Sequence, residues 1–471
     1  MAINAIGRTT IQGATTVGGF NPATLFSAGE QGVWYDPSDL STLFQDSAGT
    51  IPVTALEQPV GRMLDKSGRG NTATQATSAN RPVVSARVNL LTYTEQFDNA
   101  AWSTSGLNAV SANSTIAPNG TVTADTITTS ATNTIHDIYN TTGISFTSGV
   151  SYTHAVYLKK NTNDFAQLSL GSAAFGSNAW ANFDLVNGVL GSVGSAATAS
   201  ITSVGYGWYR CAITAAATAT ASSFYVVDIA NSASMARQAT WSAAGTESIY
   251  IWGADLRPTN QGVGLPVYQR VGAAVAGAST TVGNADYNAN GFPVYLSFDG
   301  AATSLASSSI AFSGNKMSAF AGMRKLNTTA ATQIAIELSA SLASNNGSFL
   351  IPTIGSGTTD SYRFISKGTA SGTATTTPTA YNAPDTRIVT GLGDISAPSA
   401  SLRLNGSLIQ TDTTSQGTGN YGNYPIYVGA RGGSSLYWNG YLYGLIVRGA
   451  SSTANQITGA ENWLNQKTAA Y

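Results

Sequence analysis

The chain has 471 residues, 42% of them hydrophobic and only 10% charged, with 22 basic against 23 acidic side chains for a net charge of −1. That is enough apolar material for two or three domains with buried cores. With no basic cluster beyond Lys159-Lys160, it argues against nucleic acid as a partner, because phosphate neutralisation supplies most of that affinity. Cys211 is the one cysteine, so an internal disulfide is excluded; a small, buried core thiol is the expectation. No run approaches the ~20 apolar residues of a membrane-spanning helix, and no membrane insertion is expected.

Residues 1–28 are small, polar and Gly-containing, without a sustained period. They are expected to form an N-terminal assembly arm, with packing on their own domain as the alternative. At 32–44 a strand gives way to Asp36-Pro37-Ser38-Asp39, which predicts a short helix with Asp36 at its N-cap, Pro37 in its first position and Asp39 in its third. A turn cluster follows at 64–71.

From 89 to 256, short runs of alternating apolar and polar residues recur at 152–158, 180–186, 205–213 and 224–229. That is the mark of strands with one face buried and one wet. Asn187-Gly188, between 180–186 and 189–193, predicts a hairpin with a type I′ turn. The segment reads as one β-sandwich. Residues 257–288, rich in Gly, Ala, Thr and Pro, read as a linker.

Further strands are expected at 292–300, 319–324, 333–338, 362–366, 401–409 and 441–448, with Asn405-Gly406 as a second tight hairpin. Thr453 and Gln456 form a capping-box pattern, and Ile457, Ala460 and Leu464 follow at helical spacing. These predict a short C-terminal helix.

Three blocks, NLLTYTEQFDNAAW (89–102), GWYRCAIT (207–214) and IYIWGADL (249–256), resemble the carbohydrate-binding-module-like jelly roll of tailed-bacteriophage virion proteins. GVWYDPSDLSTLF (32–44) and LDKSGRGNTATQATSANRP (64–82) resemble the start of the concanavalin A-like (laminin G-like) domain of phage structural proteins. Phe298-Asp299-Gly300 is similar to the strand and turn that normally come next there, and NWLNQK (462–467) to the close of that domain.

The resemblance implies an all-β protein of two β-sandwich (jelly-roll) domains, one inserted into the other. The arm would be 1–28, the concanavalin A-like sandwich 29–88 plus 259–471, and the inserted jelly roll 89–258. Insertion at an exposed loop leaves a host core intact; the alternative is three domains in series, with 29–88 a separate small unit. The implied function is a virion surface protein, as a fibre, head fibre or receptor-binding appendage that binds bacterial surface glycans without catalysis. It would be a homo-oligomer, a trimer for a fibre, that contacts other virion proteins through residues 1–30. No signal peptide is visible at residues 1–8, which suits a protein made in the host cytoplasm and released in the virion. A capsid decoration protein without glycan binding and a glycan depolymerase are the alternatives.

Catalysis needs convergent titratable groups. His136 and His154 are the two histidines, and both read as surface or packed residues, because no Gly-x-Ser-x-Gly elbow occurs. No metal-ligand spacing and no phosphate-cradling loop is present. Among carboxylates, Asp36 and Asp39 read as helix caps, Asp299 as a turn residue, and Glu95 with Asp98 as a remaining pair. No cofactor is expected; calcium is left open, since lectin-like sandwiches often hold it with loop oxygens.

Sugar rings stack on exposed aromatic faces. Trp34, Trp208, Tyr209 and Trp252 fall on strand patterns and read as core. The candidates for carbohydrate binding lie in turn-rich stretches: Phe175, Trp180 and Trp241 in the insert, and Tyr421, Tyr424, Tyr437 and Trp438 in the C-terminal part. Ordinary packing is the rival reading for each.

Overall fold

A computed structural model describes residues 19–259, 268–272, 291–327, 331–356, 359–370, 373–377 and 379–471. The described chain is almost entirely antiparallel β-structure, closed by one helix, Ala454–Thr468. Two pairs of stacked sheets enclose two main hydrophobic cores.

The first sandwich draws on both ends of the chain. One sheet runs, strand beside strand, through Ser407–Asp412, Ser399–Leu404, Asp385–Asp394, Lys316–Lys325, Asn439–Arg448, Tyr295–Asp299 and Val83–Ser85, with Gly32–Tyr35 also paired to Asn439–Arg448. Trp34 lies opposite Ile446 and Val84 opposite Leu296. In the facing nine-stranded sheet Ala73 lies opposite Ser307. Strands before residue 89 and after residue 291 therefore share both sheets. They also share one core, where Val33, Tyr35 and Met63 pack with Phe298, Phe349, Phe364, Trp438 and Leu445.

The second sandwich lies within 89–259. One six-stranded sheet orders Val189–Val193, Trp180–Asp184, Phe165–Leu170, Tyr225–Ala230, Asp137–Asn140 and Trp102–Ser105. The other orders Thr198–Gly205, Trp208–Ala216, Ser151–Lys160, Ser248–Pro258, Ala124–Thr128 and Ser111–Thr115. Alternation works as expected: Val156, Leu158, Cys211 and Ile213 point into the core. The Cys211 thiol is fully buried, and burial raises its pKa.

Local turn chemistry holds in some places and not in others. Asn405 (φ 48°) and Gly406 (φ 80°) make the two-residue turn that joins Leu404 to Ser407, the type I′ pattern. Asn187-Gly188 does not. The strand ends at Asp184, which pairs with Val189 across a four-residue loop, and only Gly188 has positive φ. The cause is Asp184, whose Oδ1 accepts the N–H groups of Val186 and Asn187 and closes the turn earlier. Within 205–213, Tyr206 and Gly207 are likewise a turn, and the strand starts at Trp208.

The helix expected at Asp36 is also displaced. Asp36 Oδ1 accepts from Ser38 in a local turn, and a single 3-10 turn begins only at Leu40. Asp36 instead receives Lys467 Nζ at 2.8 Å and Lys66 Nζ at 3.3 Å, ion pairs that sequence spacing does not reveal.

The outer face of the first sheet is apolar at one end, where Trp34, Phe320, Ile388 and Ile446 are covered by Ala460 and Leu464 of the C-terminal helix and by Leu25 and Phe26. Thr453 caps that helix in a capping box with Gln456. Of the expected arm, residues 1–18 lie outside the described residues. The described part packs on its own domain, with Phe20 against Gly459 and Phe26 against Gly32.

Candidate functional site

Past the helix, the same sheet face changes character. Val83, Ser297, Tyr441, Arg324 and Thr386 are successive cross-strand partners over five strands. Directly opposed residues share a face, so their side chains form one row pointing away from the core. Tyr295 stands beside that row, its ring stacked on Tyr441 at 3.8 Å and 13°. Its hydroxyl donates to the Arg87 carbonyl at 2.6 Å.

The inserted sandwich overhangs this face. Between the two lies a cleft of about 720 Å³, with Ser145, Thr147 and Tyr152 on the inserted side and Arg81, Arg87, Arg324 and Tyr441 among the residues on the other. A buried amide clasp ties the chain where it passes between the sandwiches. Gln269 Oε1 accepts the N–H groups of Val88 and Asn89, and Asn89 Oδ1 accepts those of Leu91 and Leu256.

The cleft is cationic. Arg81 spends its donors on the carbonyls of Gln75 and Ala76, and Arg87 on those of Asn89, Leu90 and Leu91. Arg324, 2% exposed, donates Nη1 to Thr386 Oγ1 at 2.8 Å, and its Nε–H has no acceptor among the described residues. Two carboxyls line the same space. Burial pushes Glu57 above the usual range, only partly opposed by a Ser85 hydrogen bond and the Arg87 charge. Asp299 is shifted up by burial but held lower overall by the N–H groups of Ala301, Ala302 and Thr303, which all donate to its Oδ1. A ring face, hydroxyls and guanidinium groups in one concavity can bind a saccharide or another small polar ligand.

A second polar row crosses the inserted sandwich: Asp137 opposite Asp228, Asp228 opposite Gln167, Gln167 opposite Asn182. It is closed by the chain's own loop, because Asn182 Nδ2 donates to the carbonyls of Ala233 and Met235 and Gln238 donates to Gln167 and Asp137.

The aromatic residues singled out in the sequence fall elsewhere. Phe175 and Tyr421 are 1% exposed and Trp438 is 0%. Phe175 packs on Phe146 and Tyr152, Tyr421 on Phe349 with its hydroxyl on Ser366, and Trp438 on Phe298. None has a free ring face. Although their stretches are turn-rich, Tyr421 and Trp438 belong to the core of the first sandwich and Phe175 to that of the second. Trp180, Trp241, Tyr424 and Tyr437 are half-buried and do not line the cleft. Trp241 is edge-on to His136 at 4.8 Å.

The cleft residues were missed because Tyr295, Arg324 and Tyr441 lie in strands that read as framework. The one available signal was the Tyr441-Leu442-Tyr443 alternation, which puts large polar rings on a face that an α-helix would otherwise cover.

His154 is fully buried against Tyr225, with burial lowering its pKa to about 3. Glu95 is engaged by Tyr268 Oη at 2.9 Å and Arg270 at 3.2 Å. Among the described residues no three His, Cys, Asp or Glu side chains converge as a metal site, and no helix is long and apolar enough to cross a membrane.

No protein-family model and no curated protein matches the chain. Among solved structures, it is similar to the native heptameric SAP-like pentraxin from Limulus polyphemus, at 13% identity and a TM-score of 0.30, over 35% of this chain and 80% of that one. It is also similar to domain 4 of AbnA, a GH43 extracellular arabinanase from Geobacillus stearothermophilus, in complex with arabinotriose, at 12% identity and a TM-score of 0.29, over 36% and 76%. The receptor binding domain of botulinum neurotoxin D matches at 11% identity and a TM-score of 0.29, over 36% and 44%. Likenesses this partial do not bear on ligand or activity.

Proposed function

We propose that the chain is a saccharide-binding surface component of a bacteriophage particle, as a fibre, head fibre or receptor-binding appendage, and that it holds bacterial surface glycan in the cleft between its sandwiches without cleaving it. The observation that carries the binding half is the cleft wall, where Tyr441, backed by Tyr295 at 3.8 Å, stands beside guanidinium and hydroxyl donors. An aromatic ring takes the C–H face of a pyranose, and a few polar donors fix its orientation. The phage half is supported by the sequence blocks at 32–44, 89–102 and 249–256. Repetition of the site in an oligomer, a trimer in the fibre reading, would raise avidity without any new contact.

A hydrolase reading draws on Glu57 and Asp299, whose carboxyls shift in opposite directions as an acid and a base require. Against it, Asp299 Oδ1 already holds three N–H groups and the Thr303 hydroxyl in its own turn. The test is an array of bacterial surface polysaccharides probed with the full chain and with Tyr441→Ala. Binding to a subset of glycans, at least about tenfold weaker in the variant and without new reducing ends, is expected. Binding to no glycan would leave the capsid-decoration reading, and release of reducing ends would establish a depolymerase.

A further inference from the structure

Four cations among the described residues are more than nine-tenths buried: Arg324, Lys325, Lys367 and Arg448. Lys325 meets Asp360 at 2.6 Å, and Arg448 meets Glu30 at 2.5 Å. Lys367 sets its ammonium on the carbonyls of Leu342 and Ala343, both at 3.0 Å. Arg324 has a single hydroxyl acceptor and, like Arg448, an Nε–H with none among the described residues, but unlike Arg448 it has no carboxylate at ion-pair distance among them; Arg324 alone of the four lines the cleft.

A buried charge without a counter-charge is unfavourable, and a planar guanidinium fork is the group best matched to a carboxylate or phosphate. The surroundings add to that bias. Arg81 and Arg87 bring two more positive charges to the same space, and Asp299 has its Oδ1 occupied. Glu57 is shifted toward its neutral form by burial.

Resting on the saccharide reading of the cleft, we propose that its ligand is an anionic sugar whose carboxylate or phosphate is received by Arg324, with the ring lying on Tyr441. Arg324 and Tyr441 are direct cross-strand neighbours, so one sugar residue can touch both.

The experiment is a calorimetric titration of the full chain with trigalacturonate, with its carboxyl-reduced neutral counterpart, with glucose 6-phosphate and with glucose, at low and high salt. The acidic member of either pair should bind at least about tenfold more tightly than the neutral one, as a charge-assisted hydrogen bond requires, and that advantage should shrink with salt. Preference within the first pair identifies a carboxylate ligand, and within the second a phosphate. Arg324→Gln should abolish the preference, and Arg324→Lys should keep part of it. If Arg324→Gln does not fold, the wild-type comparison still decides. Equal binding within both pairs would overturn the anionic assignment and leave the saccharide reading standing. Binding of none of the four, together with an array on which no glycan binds, would overturn both.

Discussion

Asn89 and Gln269 hold each other at the junction of the two sandwiches: Asn89 N–H donates to Gln269 Oε1 at 3.0 Å, and Asn89 Nδ2 donates to the Gln269 carbonyl at 2.9 Å. Both residues are fully buried. Gln269 Nε2 also donates to the Ala86 carbonyl, and Gln269 N–H to Asp255. The pair thus ties the chain before the insert to the chain after it, and fixes how the insert overhangs the row of Arg324 and Tyr441.

Replacing Gln269 by Leu keeps the volume and removes the amide, leaving the Val88 and Asn89 N–H groups buried without acceptors. A loss of about 2–6 kcal/mol in denaturant unfolding is expected, at roughly 1–3 kcal/mol for each of the two orphaned groups. Amide exchange at Val88 and Asn89 should speed up before that of the sandwich cores. Unchanged exchange there would mean that the clasp does not hold the junction.

The C-terminal helix owes its place to Leu464, which is 0% exposed and lies over Phe320 and Ile446. Leu464→Ala should cost about 2–5 kcal/mol, the range for a buried leucine. Thr453→Ala, which removes only the cap, should cost about 1 kcal/mol. Melting curves of the two variants should differ in that order.

One carboxyl pair in the insert and one carboxyl in the other sandwich should respond to pH in opposite senses. In the insert, burial raises the Asp137 carboxyl to about 6, and burial together with the Asp137 charge raises Asp228 further. The groups facing this pair are Gln238, His136, Arg237 and Gln167. A carboxyl with a raised folded pKa favours the fold while protonated. Its contribution is full below the unfolded value near 3.8 and is lost as pH rises through about 6.

Asp36 in the other sandwich is pushed up by burial but pulled below its ordinary value by Lys467, Ser38 and Lys66. Its contribution is present above the unfolded value and is lost as pH falls. Asp137→Asn should flatten the alkaline-side loss by about 2–3 kcal/mol between roughly pH 4 and 7, and Asp36→Asn should flatten the acid-side loss. Tryptophan fluorescence melts over that pH range would check both. A wild-type insert equally stable at both ends of the range would refute the assignment.

Gly32 begins the strand that joins the N-terminal segment to Asn439–Arg448. A Cβ there would sit 1.9 Å from the Val447 carbonyl oxygen, which belongs to the central strand and cannot withdraw. Gly32→Ala should cost about 3–4 kcal/mol and show as a lowered denaturation midpoint. Gly68→Ala, where a Cβ would meet nothing within 4 Å, should cost less, through its positive φ alone.

What the sequence determined by itself is what neighbouring residues decide among themselves. Alternation set the strand at 152–158 and a long apolar run that at 441–448, Asn405-Gly406 set a two-residue turn through its positive φ angles, and Thr453 with Gln456 capped the last helix. These outcomes rest on interactions within a few residues of chain. Asn187-Gly188 marks the limit even of that rule, because Asp184, three residues before Asn187, takes the N–H groups of Val186 and Asn187.

Only the tertiary structure decided which rings are covered and which polar groups meet. Phe175, Tyr421 and Trp438 sit in turn-rich stretches yet belong to the sandwich cores, and Tyr441 sits in a central strand yet faces the cleft. Arg324 has Tyr441 on one side and Thr386 on the other through two ladders of different sequence separation, and a second domain closes over Arg324 and Tyr441. Burial and the absence of a counter-charge are properties of that whole arrangement, so no local pattern in the chain encodes them.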